Sequence, residues 1–119
     1  MKNEIREFVV AKTNDLLKAP SACPEVKAAA KAWLKAKGTP KEAAETKKYI
    51  KELEEDITSI DGLIAFAGSA MGAKAFGADA AKKLLAHAQE IKKAGAKYCD
   101  CPACAACAAM LAKKAEMLA

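Results

Sequence analysis

Apolar side chains recur at three- and four-residue spacing along this chain, and nowhere do they alternate with polar ones over a strand's length. That periodicity admits helices and argues against a sheet. Proline and glycine cut the pattern into segments. Ala19-Pro20-Ser21-Ala22-Cys23-Pro24 ends a helix over residues 2–18, because both prolines remove a donor and restrict the residue before them. Ile5, Phe8, Val9 and Leu16 form its inner stripe. A second helix takes Pro24 as its first residue, buries Val26, Ala30, Trp33 and Leu34, and stops at Gly38. Thr39-Pro40 followed by Glu42 reads as an N-cap, a proline at N1 and a capping-box glutamate. The third helix then reaches residue 57, with Thr46, Tyr49, Ile50 and Leu53 inward.

The fourth segment, residues 62–76, differs in kind. Leu63, Ile64, Phe66, Ala67, Ala70 and Met71 cover most of its circumference, and Gly68 and Gly72 stand four apart. A helix that is apolar nearly all round belongs at a centre. Gly77 ends it, and Asp79 caps a fifth helix that buries Leu84, Leu85, Ala88 and Ile91 before Gly95 stops it. A sixth runs over residues 102–117, with Met110, Leu111 and Leu118 inward. The expected fold is all-α: one domain over residues 1–119, a compact bundle of five to six helices around an apolar, glycine-containing central helix. A chain of 119 residues is long enough to bury one core without staples.

Charge and hydropathy exclude several function classes. The formal net charge is +5, but the lysines interleave with glutamates. Lys41, Glu42, Glu45, Lys47, Lys48, Lys51, Glu52, Glu54 and Glu55 read as a solvated face laced with i,i+4 pairs. No aromatic residues interleave with a basic stripe, so no nucleic-acid partner is expected. The acidic run from Glu52 to Asp56 reads as solvated rather than cation-binding. The longest apolar stretch, residues 63–73, is about half of the roughly twenty residues a bilayer span needs. No membrane partner is expected, whereas a protein partner is compatible with these features. No secretory signal is visible, since residues 1–7 are mixed in charge and Phe8-Val9-Val10-Ala11 is too short for an h-region. The expected location is cytoplasmic, where thiols stay reduced.

The chemistry-bearing feature is a cysteine cluster. Four of the five cysteines lie in Cys99-Asp100-Cys101-Pro102-Ala103-Cys104-Ala105-Ala106-Cys107, and the fifth precedes a proline in Cys23-Pro24. In a reducing compartment clustered cysteines favour metal or redox chemistry, and an odd count argues against a closed disulfide framework. Pro102 suits N1, which puts Cys101 at an N-cap and Cys104 in the first turn. Free backbone N–H groups and the positive end of the helix dipole favour thiolate there, the form that binds metals and attacks disulfides. Cys23, Cys99, Cys101 and Cys104 together would supply the four thiolates of a zinc site. Cys107, one turn deeper among alanines, reads as a small core residue.

Other metals fit less well. The Cys101-x-x-Cys104-x-x-Cys107 spacing echoes ferredoxins, but its alanines argue for helix rather than a loop around an iron–sulfur cluster. A copper(I) store would line whole helices with cysteine. The rival from another class is a thiol–disulfide protein using the Cys101-x-x-Cys104 pair, without the usual βαβ context. A third reading is a helical interaction module with incidental cysteines. His87 reads as a partly buried structural histidine. No Ser/His/Asp set or phosphate-binding glycine loop is present, so no NAD-, ATP- or haem-dependent centre is expected.

Pro20-Ser21-Ala22-Cys23-Pro24, the run Ser59-Ile60-Asp61-Gly62-Leu63-Ile64-Ala65-Phe66-Ala67-Gly68-Ser69, and Ala94-Gly95-Ala96-Lys97-Tyr98-Cys99-Asp100-Cys101-Pro102-Ala103-Cys104 resemble a family of short proteins from clostridial-type anaerobic bacteria. The similarity covers nearly the full chain. Those proteins often carry a heat-shock or molecular-chaperone label without an established activity. This chain lacks the length and ATP-binding elements of the large ATP-dependent chaperones, so the resemblance implies a bacterial cytoplasmic setting and not chaperone activity. It directs attention to the segments holding Cys23, Cys99, Cys101 and Cys104.

Overall fold

Eight helices make up a computed structural model that describes residues 1–119. They are α1 (Asn3–Lys18), α2 (Pro24–Ala36), α3 (Glu42–Asp56), α4 (Ile60–Ala67), α5 (Ala70–Phe76), α6 (Ala78–Lys93), α7 (Pro102–Leu111) and α8 (Lys114–Leu118). No strand forms, only an isolated bridge between Ser59 and Tyr98. The class is all-α. The chain divides into two compact units, a larger one from Met1–Ile57 with Asp100–Ala119 and a smaller one from Thr58–Cys99.

The larger unit holds α1, α2, α3, α7 and α8, with α2 along α3 and α1 against α7. Each helix gives its 3.6-period stripe to one core: Val9 and Leu16, Val26 and Trp33, Tyr49 and Leu53, then Cys107 and Met110. The Trp33 and Tyr49 rings stack at 5.9 Å. Their polar tips are satisfied inside that core, as buried polar groups must be. Trp33 Nε1–H donates to Thr46 Oγ1 at 2.9 Å, and the Tyr49 hydroxyl shares a 2.8 Å hydrogen bond with Thr13 Oγ1. Burial pushes the Tyr49 phenol up to about 12.

The smaller unit packs α4 and α5 on α6. Its own core is Ile60, Leu63 and Ala88, flanked by Ile64, Leu84, Ile91 and Cys99. The segment before α4 is pinned to the one after α6. Ile60 N–H donates to the Lys97 carbonyl at 2.9 Å, and Cys99 N–H donates to the Thr58 carbonyl at 2.9 Å.

Several expectations are corrected. There are eight helices, not five or six, because two predicted helices each break in two. The segment over residues 62–76 is interrupted by Ser69, whose Oγ accepts the Gly72 N–H at 3.1 Å and so caps α5. Its two pieces lie in the smaller unit, with Phe66 and Met71 exposed, so no apolar central helix is formed. The last predicted helix breaks after α7, and Met117, not Leu118, turns inward. Thr39 does not cap α3. Glu42 instead accepts the Gly38 N–H at 2.8 Å and pairs with Arg6 at 3.0 Å. Asp79 lies within the first turn of α6, after an N-cap at Gly77. His87 is exposed on α6 rather than partly buried.

Candidate metal centre

The cysteine segment is built from its two ends. Cys99 is held by its N–H bond to Thr58, and its side chain packs against the Ile60 core. Cys101 is the N-cap of α7, in extended conformation at φ −61° and ψ 158°, with Pro102 at N1. Its Sγ accepts the Cys104 N–H at 3.4 Å, so the sulfur takes up one of the amides a helix start leaves free. Cys104 follows in the first turn and is buried. No disulfide joins any of the five cysteines.

One continuous stretch of six residues therefore carries three sulfurs, those of Cys99, Cys101 and Cys104, and they lie within 4.8 Å of one another. In a tetrahedral thiolate site with Zn–S of about 2.3 Å, sulfurs stand about 3.8 Å apart. The observed spacing is about 1 Å from that closure, within reach of side-chain rotation. Three thiolates in this geometry can hold a soft divalent ion, and the positive end of the α7 dipole offsets part of their charge.

Cys23 lies outside this group of three. It is the N-cap of α2, at φ −74° and ψ 158°, ahead of Pro24. Burial pushes its thiol up, the Val26 amide pulls it back, and Asp56 and Glu25 add to the rise. Cys107 is buried in the larger core, as its alanine neighbours suggested. Burial first, then Cys104, Asp56, Cys101 and Cys23, push its thiol up to about 12.

Asp56 is the neighbour that sequence reasoning missed. It is the last residue of α3, and its Oδ2 is buried with no hydrogen-bond partner. It also helps to push the nearby Glu52 carboxyl up, after the effect of burial and together with Glu55 and Glu25. The only signal in the sequence was the acidic run itself, which looks like any solvated face. No protein-family model matches this chain, and no curated protein or solved structure is significantly similar to it.

Proposed function

We propose that this chain is a small helical metal-binding protein whose thiolates hold a divalent ion, zinc being the ion that suits them best. The observation that carries the reading is the convergence of the Cys99, Cys101 and Cys104 sulfurs within 4.8 Å. Thiolate donors favour soft and borderline ions, and zinc closes structural sites with four tetrahedral ligands. The fourth ligand comes from outside the six-residue stretch, and Cys23 is the candidate that the Cys-Pro pattern suggests. In a reducing compartment the thiols remain available for it. The test is metal analysis of freshly purified protein beside a thiol count, with and without chelator. About one zinc per chain, with thiols that react only after chelation, is the expected result.

A second reading rests on one observation, the Cys101–Cys104 pair at the start of α7 with sulfurs close enough to approach a disulfide. There the two thiols would release two electrons and two protons to a disulfide partner, which leaves as a dithiol. A metal-free protein whose Cys101–Cys104 disulfide forms reversibly near the cytosolic poise would decide for that reading. Metal-free, unreactive thiols would leave an interaction module with incidental cysteines.

A further inference from the structure

Cys101 and Cys104 share one helix start within the larger unit but differ in exposure. Cys101, the N-cap of α7, is half-buried and stands between Asp100 and Pro102, both exposed. Cys104 keeps only 7 % of its surface and sits in a buried stretch with Ala103, Ala106 and Cys107. The Cys104 N–H donates to the Cys101 Sγ at 3.4 Å, and the two sulfurs lie within 4.8 Å of each other. An oxidant arriving from solvent therefore meets the Cys101 sulfur first, with a second sulfur behind it in the same turn. Oxidation of a thiolate follows its exposure, and a neighbouring thiol turns the first product into a disulfide.

The other three cysteines are worse placed to be that second sulfur. The Cys99 N–H is held by the Thr58 carbonyl at 2.9 Å, and its side chain packs on the separate core of Ile60, Leu63 and Ala88. Pairing it would draw it out of that core. Cys107 is 3 % exposed, among the apolar residues of the larger core. Cys23 caps a different helix and lies outside the converging sulfurs.

We propose that the Cys101–Cys104 pair is an oxidant-operated release for the bound metal, with Cys101 the attacked sulfur and Cys104 the resolving one. The proposal rests on the metal-binding reading above and adds how that site is emptied. The oxidant is hydrogen peroxide. The Cys101 thiolate attacks it, an S–O bond forms as the O–O bond breaks, and a sulfenic acid and a hydroxide result. The Cys104 thiolate then attacks the Cys101 sulfur, an S–S bond forms as the S–O bond breaks, and a second hydroxide leaves. The two thiolates give up two electrons and the peroxide takes them. Zinc itself does no redox chemistry, and only thiolates bind it, so the disulfide withdraws both α7 ligands together. Cys99 is then left as the sole donor of the three.

The test treats the zinc-loaded full chain with hydrogen peroxide. About one zinc should appear on a chromophoric chelator for each peroxide consumed, and peptide mapping should find the Cys101–Cys104 disulfide. Dithiothreitol should restore zinc affinity to within about twofold of its starting value. In the reduced, metal-free Cys104→Ser chain, dimedone should trap a sulfenic acid on Cys101, because no thiol remains to resolve it. Zinc retained after peroxide treatment, a disulfide made to Cys99 or Cys23, or dimedone absent from Cys101 in that variant would each overturn the proposal while leaving the metal reading intact. A wild-type chain that binds no stoichiometric zinc would overturn both.

Discussion

Cys107 offers a quantitative test of how this core treats ionisation. Its thiol, ordinarily at 9.0, is pushed up to about 12 by burial and then by Cys104, Asp56, Cys101 and Cys23. The folded pKa lies above the unfolded one, so the unfolded chain loses its proton first as pH rises. The stability linked to this group is fully present below about 9 and drains away between about 9 and 12. With one pKa unit equal to about 1.36 kcal/mol, the loss is about 1.4 kcal/mol at pH 10 and about 2.7 kcal/mol at pH 11. Tyr49, raised from 10.0 to about 12 by burial, adds a slope of the same sign beginning one unit higher. Cys23, also raised, adds in the same direction. The assay is urea unfolding of the reduced, metal-free chain at half-unit steps from pH 7 to pH 11. Cys107→Ala isolates the Cys107 part. It should cost about 1 kcal/mol at pH 7 through lost packing and then show a shallower alkaline decline. Parallel declines for wild type and variant would refute the reasoning, because the thiol would then titrate alike in folded and unfolded chains.

Three further outcomes are expected. Gly72→Ala should destabilise the smaller unit by about 1–3 kcal/mol, because its Cβ would stand 2.1 Å from the Phe66 carbonyl oxygen, whereas Gly68→Ala meets the Ile64 carbonyl oxygen only at 3.3 Å and should cost less; hydrogen exchange of the α4 to α6 amides separates the two. Glu42 is held below its ordinary 4.5 because the Arg6 guanidinium and the Gly38 amide outweigh the effect of burial, so its contribution is present above that value and lost as pH falls through the lower folded pKa; Glu42→Gln should flatten the acid limb of an unfolding-against-pH curve. Zinc at a thousandfold its dissociation constant should raise unfolding stability by about 4 kcal/mol, reversed by chelator and absent in Cys101→Ser, as measured by thermal melts.

The parts of this structure that were legible from sequence are those set by local rules. Pro24 and Pro102 marked helix starts, and both Cys23 and Cys101 are N-caps, as the Cys-Pro pairs implied. Cys107 at the third and sixth positions from Cys104 and Cys101 had to share their face of the helix, and it is the most deeply buried of the three. The failures came where two local rules competed. Residues 62–76 read as one helix because apolar spacing continued through Ser69, yet Ser69 with Gly72 three residues on is itself a capping signal, and capping won. Once broken, two short helices resting on α6 have an outer side, and Phe66 and Phe76 meet edge-on there at 5.8 Å, both exposed. Apolar circumference measured the composition of the segment and not its place.

Asp56 was illegible for a different reason. No periodicity distinguishes it from Glu52, Glu54 and Glu55, with which it shares the end of α3. What separates it is tertiary. The end of α3 comes to the start of α2, and there a carboxylate oxygen is buried beside a thiol instead of facing water. A helix C-terminus already disfavours negative charge, so the fold gains nothing from an acid at this position by local rules.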